Sequence, residues 1–195
     1  MNKYQIKPPK KCQSCGKASE CEYLKNLYQK PFDSSAVLLD CKAFYKVFSE
    51  LEELCCVPFG NPEKMKKYRD ENFAEKYAYL TPALVTNGIL AAELALKALT
   101  LKETGTFNCI HNINKLFYAL PDVHNSALSK LIIEKTNQNE ATLKSNLKTI
   151  SNFFVEWRYF FQKEVIGYTD FLLKFIHIVS DYAIVEIEND TMDEK

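Results

Sequence analysis

The stretch TPALVTNGILAAELALKALTL, residues 81–101, decides the fold of this chain. Thr81 and Pro82 predict the start of a helix, because a threonine hydroxyl can cap a helix and proline is favoured in its first turn. Alanine and leucine occupy nearly every side of the helix that follows, and Gly105 predicts its end. A helix that is apolar nearly all round is buried, so we expect this one at the centre of a helical bundle.

Another helix is predicted upstream, where apolar residues recur at spacings of four and three. Ser34 or Ser35 can cap its start, and Pro58 ends it. A short, highly charged helix over residues 62–80 is expected to follow. The apolar stripe that should face the bundle consists of Val37, Cys41, Phe44, Phe48, Leu51 and Cys55.

The segment after Gly105 predicts four more helices. Two are short and cover residues 111–120 and 123–135, on either side of Pro121. Two are long and are separated by Gly167, so we expect them to form an antiparallel hairpin. Their apolar stripes are Leu143, Leu147, Ile150, Phe154, Trp157 and Phe161 in the first, and Tyr168, Phe171, Phe175, Ile178, Tyr182 and Val185 in the second.

No segment has the alternating pattern of a strand, so the sequence predicts an all-α, antiparallel helical bundle with up-and-down topology. Four regions follow from the pattern. Residues 1–33 form a cysteine-containing N-terminal segment, and residues 34–80 form helices that pack on the bundle. Residues 81–187 form the main helical domain, and residues 188–195 are expected to be an acidic flexible tail.

The composition argues against several classes of protein. The 25 basic and 25 acidic residues give a net charge of zero, which is atypical of a nonspecific nucleic-acid binder. With only 5 glycines and no G-x-G-x-x-G or G-x-x-x-x-G-K motif, a glycine-rich phosphate loop is not expected. The chain shows neither a signal-peptide pattern nor a long uninterrupted apolar run, so we expect a cytoplasmic protein without a membrane span.

Three segments together resemble the HEPN domain family. Residues 92–99, AELALKAL, are similar to its E-x-x-L-K-A-L run. Residues 111–117, HNINKLF, are similar to its H-[DN]-[IL]-x-x-L motif, and residues 154–159, FVEWRY, are similar to its F-x-x-x-R-Y segment. The resemblance covers residues 81–187. It implies a bundle of four or five helices, a homodimer, and an RNA-associated or nucleotide-associated role in prokaryotic defence or toxin–antitoxin systems.

The resemblance also bears on catalysis. Many HEPN proteins are RNases whose motif is an arginine followed four to six residues later by a histidine. Arg158 matches the arginine, but no histidine occurs between Arg158 and His177. The resemblance therefore implies a non-catalytic or degenerate module that binds RNA, a nucleotide or a cognate protein partner. An active metal-independent endoribonuclease that uses Arg158, and a purely structural helical interaction module, are the alternatives.

The candidate binding cleft that the resemblance implies contains Glu93, His111, Asn112, Arg158 and Tyr159. Each of these residues also has a structural interpretation. Arg158 could form an ion pair with Glu93, and Glu93 could instead form a surface pair with Lys97 one turn later. His111 could fix a loop, and Asn112 could cap the helix that follows.

The N-terminal segment carries a separate candidate site. Cys12, Cys15 and Cys21 include a Cys-x-x-Cys pair, which is a common half-site for tetrahedral zinc. Cys41, Cys55 or Cys56 could supply the fourth ligand. The alternative is a flexible segment that carries free thiols. Tyr45 and nearby tyrosines among lysines could stack on nucleic acid, or could simply pack against the protein.

Overall fold

The computed structural model describes residues 33–55, 80–151 and 169–193. No strand occurs within these ranges, and the six helices pack on one another, so the predicted all-α bundle is confirmed. Cys12, Cys15, Cys21, Arg158, Tyr159, the helix predicted over residues 62–80 and the second half of the helix predicted from Leu143 lie outside the described residues. The helices are α1 (Ser34–Cys55), α2 (Thr81–Thr104), α3 (Ile113–Tyr118), α4 (Asp122–Thr136), α5 (Glu140–Ile150) and α6 (Thr169–Asp193).

Helix α2 lies at the centre, as the sequence predicts. Fourteen of its residues are buried, and they lie on all sides of the helix. Within the described residues it is the one helix that is long and apolar enough to cross a membrane, but 78% of its most apolar part is buried inside the protein. That degree of burial is typical of the core helix of a soluble protein.

The helix ends agree with the sequence at one end and differ at the other. Gly105 ends α2 in the left-handed conformation, with φ 64°, and its N–H donates to the Leu101 carbonyl. Thr81 is the first helical residue of α2 and provides no side-chain cap, so that prediction is wrong. Helix α1 is capped by Asp33, whose Oδ1 accepts the Ser35 N–H at 3.0 Å, rather than by a serine.

Cross-helix contacts give the direction of the helices. Helices α1 and α6 are antiparallel, because Lys42 near the start of α1 pairs with Glu188 near the end of α6, while Tyr45 contacts the earlier His177. Helix α2 contacts both α1 and α6, and α4 packs against α6. Helix α5 packs against α3 and α4.

The predicted stripes face the core where they are described, except at Val185 of α6, which is 55% exposed. Val37, Cys41 and Phe48 of α1 are buried, as are the first three residues of the α5 stripe. Helix α6 continues to Asp193, through most of the segment predicted to be a flexible tail. Burial of Ile187 and the Lys42–Glu188 ion pair account for this extension.

Gly88 brings α1, α2 and α6 into close contact. A Cβ atom at this position would lie 2.5 Å from Ile176 Cδ1 and 2.6 Å from Phe48 Cδ2. These separations are shorter than carbon atoms tolerate, so the three helices can approach this closely only with glycine here. Gly105 is the one glycine with positive φ among the described residues, so Gly88 is required for space and not for its backbone conformation.

Candidate functional site

Two of the motifs behind the HEPN resemblance meet at the carboxylate of Glu93. Glu93 is only 3% exposed, and its Oε1 accepts hydrogen bonds from Lys97 Nζ at 2.8 Å and His111 Nδ1 at 2.9 Å. The second carboxylate oxygen, Oε2, is buried and has no hydrogen-bond partner among the described residues. A buried carboxylate is stable only when cations and donors compensate it, so Lys97 and His111 are what allow Glu93 to lie in the core.

Lys97 is as buried as Glu93, with 4% of its side chain exposed. Its ammonium lies 5.3 Å from the centre of the Phe107 ring, in the geometry of a cation–π interaction. The Glu93–Lys97 pair considered from the sequence does form, but its predicted surface location is wrong, because both side chains are enclosed. The surrounding helices cover both side chains, and a helical spacing of four residues cannot reveal this.

His111 and Asn112 occupy the turn that precedes α3. The Asn112 Oδ1 accepts the Lys115 N–H at 2.9 Å, so Asn112 is the N-cap of α3, as one of its two interpretations predicts. His111 is 66% exposed on its side chain although its Nδ1 contacts the buried Glu93. An ionised carboxylate only accepts hydrogen bonds, so Nδ1 carries a proton and donates it. The imidazole is thus fixed from inside and accessible from solvent.

The structure brings three of the five predicted cleft residues to one place. Glu93 and His111 are bonded directly, and Asn112 follows His111 in the same turn. Arg158 and Tyr159 lie outside the described residues, so their place in the cleft stays a prediction.

A second polar cluster joins α1 to α6 and was not predicted. His177 Nε2 lies 2.6 Å from Glu52 Oε2, and His177 Nδ1 lies 2.6 Å from the Tyr45 hydroxyl. The same hydroxyl donates to Asp181 Oδ1 at 2.8 Å. The His177 ring also packs edge-on against Phe48, with ring centres 5.1 Å apart. Tyr45 is therefore held by the protein itself rather than presented for stacking.

The hydrogen bonds of this cluster define its protonation. The single hydroxyl proton of Tyr45 is used in the hydrogen bond that Tyr45 donates to Asp181. Nδ1 of His177 must therefore donate to the Tyr45 hydroxyl oxygen. Nε2 must donate to Glu52 as well. All three bonds form together only when His177 is an imidazolium. The hydrogen bond that His177 donates to Glu52, together with the negative charges of Glu52 and Asp181, raises the pKa of His177 against the opposing effect of burial.

This arrangement predicts a pH-dependent contribution of His177 to stability. Because the folded-state pKa lies above the ordinary value of 6.5, the contribution is complete below that pH and is lost as pH rises through the folded-state pKa. Urea unfolding of the wild type and of His177→Gln should therefore differ more at pH 6 than at pH 8.5. His111 and His124 are common to both proteins, so the comparison isolates the contribution of His177. A stability difference that stays constant with pH would contradict the imidazolium assignment.

A second histidine cluster, formed by His124, Glu103 and Tyr182, lies between α2, α4 and α6. His124 is 1% exposed, and its Nε2 faces Glu103 Oε1 at 3.2 Å while its Nδ1 faces the Tyr182 hydroxyl at 3.0 Å. With Nε2 donating to Glu103, Nδ1 can accept the Tyr182 proton. Burial, followed by the charges of Glu186 and Glu103, raises the pKa of Tyr182, so its hydroxyl keeps that proton.

The described residues contain no group of three potential metal ligands. Cys41, which could have completed a zinc site, is fully buried, and burial raises the pKa of its thiol to about 12. Zinc binds the thiolate, so Cys41 is a poor ligand where it stands. Whether Cys12, Cys15 and Cys21 bind zinc stays a prediction, since they lie outside the described residues.

Comparison with known proteins finds no family model, no curated protein and no solved structure that matches this chain.

Proposed function

We propose that this chain is a HEPN-like protein that binds RNA without cleaving it, as a module of a prokaryotic defence or toxin–antitoxin system. The observation that carries the proposal is the 2.9 Å hydrogen bond between Glu93 and His111. These residues belong to two separate motifs of the resemblance, 18 positions apart, and the bond places both in one polar site.

The site has features suited to a phosphate-bearing partner. The His111 imidazole is held at a fixed angle by a buried carboxylate and is exposed on the outside. An imidazole N–H donates a charge-assisted hydrogen bond to an ionised phosphate oxygen. Arg158 enters the proposal from the sequence alone, as the second phosphate ligand of the same cleft. With a net charge of zero, the chain must rely on such local groups rather than on its overall field.

The sequence supports the proposed lack of cleavage. Acid–base catalysis of RNA cleavage needs a titratable group beside the reacting ribose, and the histidine of the R-x4-6-H motif is absent after Arg158. His177, the next histidine along the chain, is engaged by Glu52 and Tyr45. We therefore take RNA to be a ligand that the module binds. The alternative, that RNA is a substrate that the module cleaves, is distinguished by the test below.

The test measures binding and cleavage on the same samples. A fluorescently labelled single-stranded RNA is titrated with wild type, Arg158→Ala and His111→Ala, by fluorescence anisotropy at low salt with a metal chelator. We expect each variant to weaken binding by about threefold to tenfold, since each removes one charge-assisted contact. Lys144→Ala, an exposed lysine of α5, is the control and should leave binding unchanged. Gel analysis should show intact RNA throughout.

Two results would overturn the proposal. Cleavage by the wild type that disappears in Arg158→Ala would identify an active, metal-independent endoribonuclease. Absence of both binding and cleavage, with circular dichroism that shows a folded helical protein, would leave the structural interaction module as the function.

A further inference from the structure

A cavity of about 440 Å³ opens between α4 and α6, beside the clusters around His177 and His124. Its apolar surface comes from Leu131 of α4 and from Ile178 and Val185 of α6. Val185 is 55% exposed, so the apolar surface reaches the mouth of the cavity. The volume lies in the range of small-molecule sites, about 300–1,000 Å³, which are mainly apolar and carry a few fixed polar groups.

Cationic groups predominate among the charged residues that line the cavity. They are Lys135, Lys174 and His177, against the single carboxylate of Asp181, while Asp170 pairs with Lys174 at 2.9 Å and Glu52 pairs with His177 at 2.6 Å from outside the lining. The Lys135 side chain forms no hydrogen bond or ion pair with another described residue. Asp181 accepts a hydrogen bond from the Tyr45 hydroxyl at 2.8 Å. The cavity therefore combines an apolar wall with the Lys135 ammonium, which has no ion-pair partner among the described residues, and with Lys174, whose ion pair with Asp170 is exposed and weak.

The polar groups of the cavity are held in place before any ligand binds. His177 is fixed by Glu52 and Tyr45, and the Tyr182 hydroxyl is fixed by His124, which Glu103 holds in turn. Groups that are already ordered lose little conformational entropy on binding. Neither the His177 cluster nor the His124 cluster belongs to the Glu93–His111 site, so this cavity is independent of the proposed RNA-binding function.

We propose that the cavity between α4 and α6 binds an amphipathic organic monoanion, whose apolar body lies on Leu131, Ile178 and Val185 and whose anionic group faces Lys135 and Lys174. A carboxylate, a sulfonate or a phosphate would satisfy the same cations. The anionic group gives orientation, and the apolar body supplies most of the affinity.

The test uses 8-anilinonaphthalene-1-sulfonate as the probe and follows its fluorescence on the full chain. Its neutral analogue, N-phenyl-1-naphthylamine, has the same aromatic body without the sulfonate and should bind more weakly. Competition with decanoate and with 1-naphthoate then shows whether the preferred body is aliphatic or aromatic. Displacement by either compound supports the site.

Each variant has a matched control on the same protein. Lys135→Ala should weaken probe binding by about threefold to fivefold, and Lys130→Ala, an equally exposed lysine of α4 outside the cavity, should not. Val185→Asp should weaken it by about tenfold or more, because a carboxylate would replace apolar surface at the mouth. Val123→Asp is its control, since Val123 is 62% exposed and lies outside the cavity.

The proposal fails if the neutral analogue binds as tightly as the sulfonate, or if Val185→Asp and Val123→Asp behave alike. Loss of binding in Val185→Asp without any effect of Lys135→Ala would overturn the anionic part of the assignment. RNA binding by the same variants should equal that of the wild type, so a failure here is distinct from a failure of the proposed function.

Discussion

Replacing Glu93 with leucine should destabilise the protein by about 3–5 kcal/mol, because the Lys97 ammonium would remain buried without its counter-charge. The reciprocal Lys97→Met should have a cost of similar size, since it leaves the Glu93 carboxylate with His111 alone. The double variant removes both charges and should lose far less stability than the sum of the two single changes. Urea unfolding of the four proteins closes the double-mutant cycle.

The chain supplies a matched control for this cycle. Asp170 and Lys174 of α6 have the same spacing of four residues and a similar separation, 2.9 Å, but their side chains are 84% and 47% exposed. Exposed pairs of this kind contribute about 0.5 kcal/mol or less, so Lys174→Met should change stability little. If Lys97→Met cost no more than Lys174→Met, the burial of the Glu93–Lys97 pair would be of no energetic consequence.

Replacing Gly88 with alanine should destabilise the protein by about 1–3 kcal/mol, and valine should have a larger effect. Alanine is favoured over glycine in a helix by about 1 kcal/mol, so propensity alone predicts the opposite sign. The contact decides the outcome, because the new Cβ would lie 2.5 Å from Ile176 Cδ1 and 2.6 Å from Phe48 Cδ2. Thermal and urea unfolding both measure the change.

A compensating substitution separates this cause from others. Phe48→Leu alone should destabilise the core by removing a buried ring. Combined with Gly88→Ala it should cost less than the sum of the two single changes, since the smaller side chain makes room for the added methyl group. Additive losses of stability would show that the Phe48 ring does not clash with a methyl group at position 88.

The fold could be predicted because it depends on short-range patterns. Each feature that predicts the fold can be recognised within a few neighbouring residues. These features are the apolar residues on all sides of α2, the spacing of Val37, Cys41 and Phe48, and the position of Gly105. The helix starts were harder, because several neighbouring side chains can cap a helix equally well. Asp33 caps α1 although Ser34 and Ser35 are the next residues along the chain.

The sites were only partly predictable for a different reason. Glu93 and His111 could be associated through a family resemblance, but the burial of Lys97 depends on helices elsewhere in the chain. The cluster of Tyr45, Glu52 and His177 joins residues more than 120 positions apart. In the sequence Glu52 lies off the apolar stripe of α1 and has the pattern of a solvated charge, so no local signal distinguishes it.

This separation along the chain has a consequence for synthesis on the ribosome. Helices α1 and α2 can pair as soon as both have left the exit tunnel, but the 125 residues that follow Glu52, up to and including His177, must be translated before their hydrogen bond can form. At about 5–20 residues per second, that interval is roughly 6–25 s. During this time α6 cannot cover the surface of α1 that it later contacts. We therefore expect chaperones to bind this surface of the nascent chain until α6 has been synthesised.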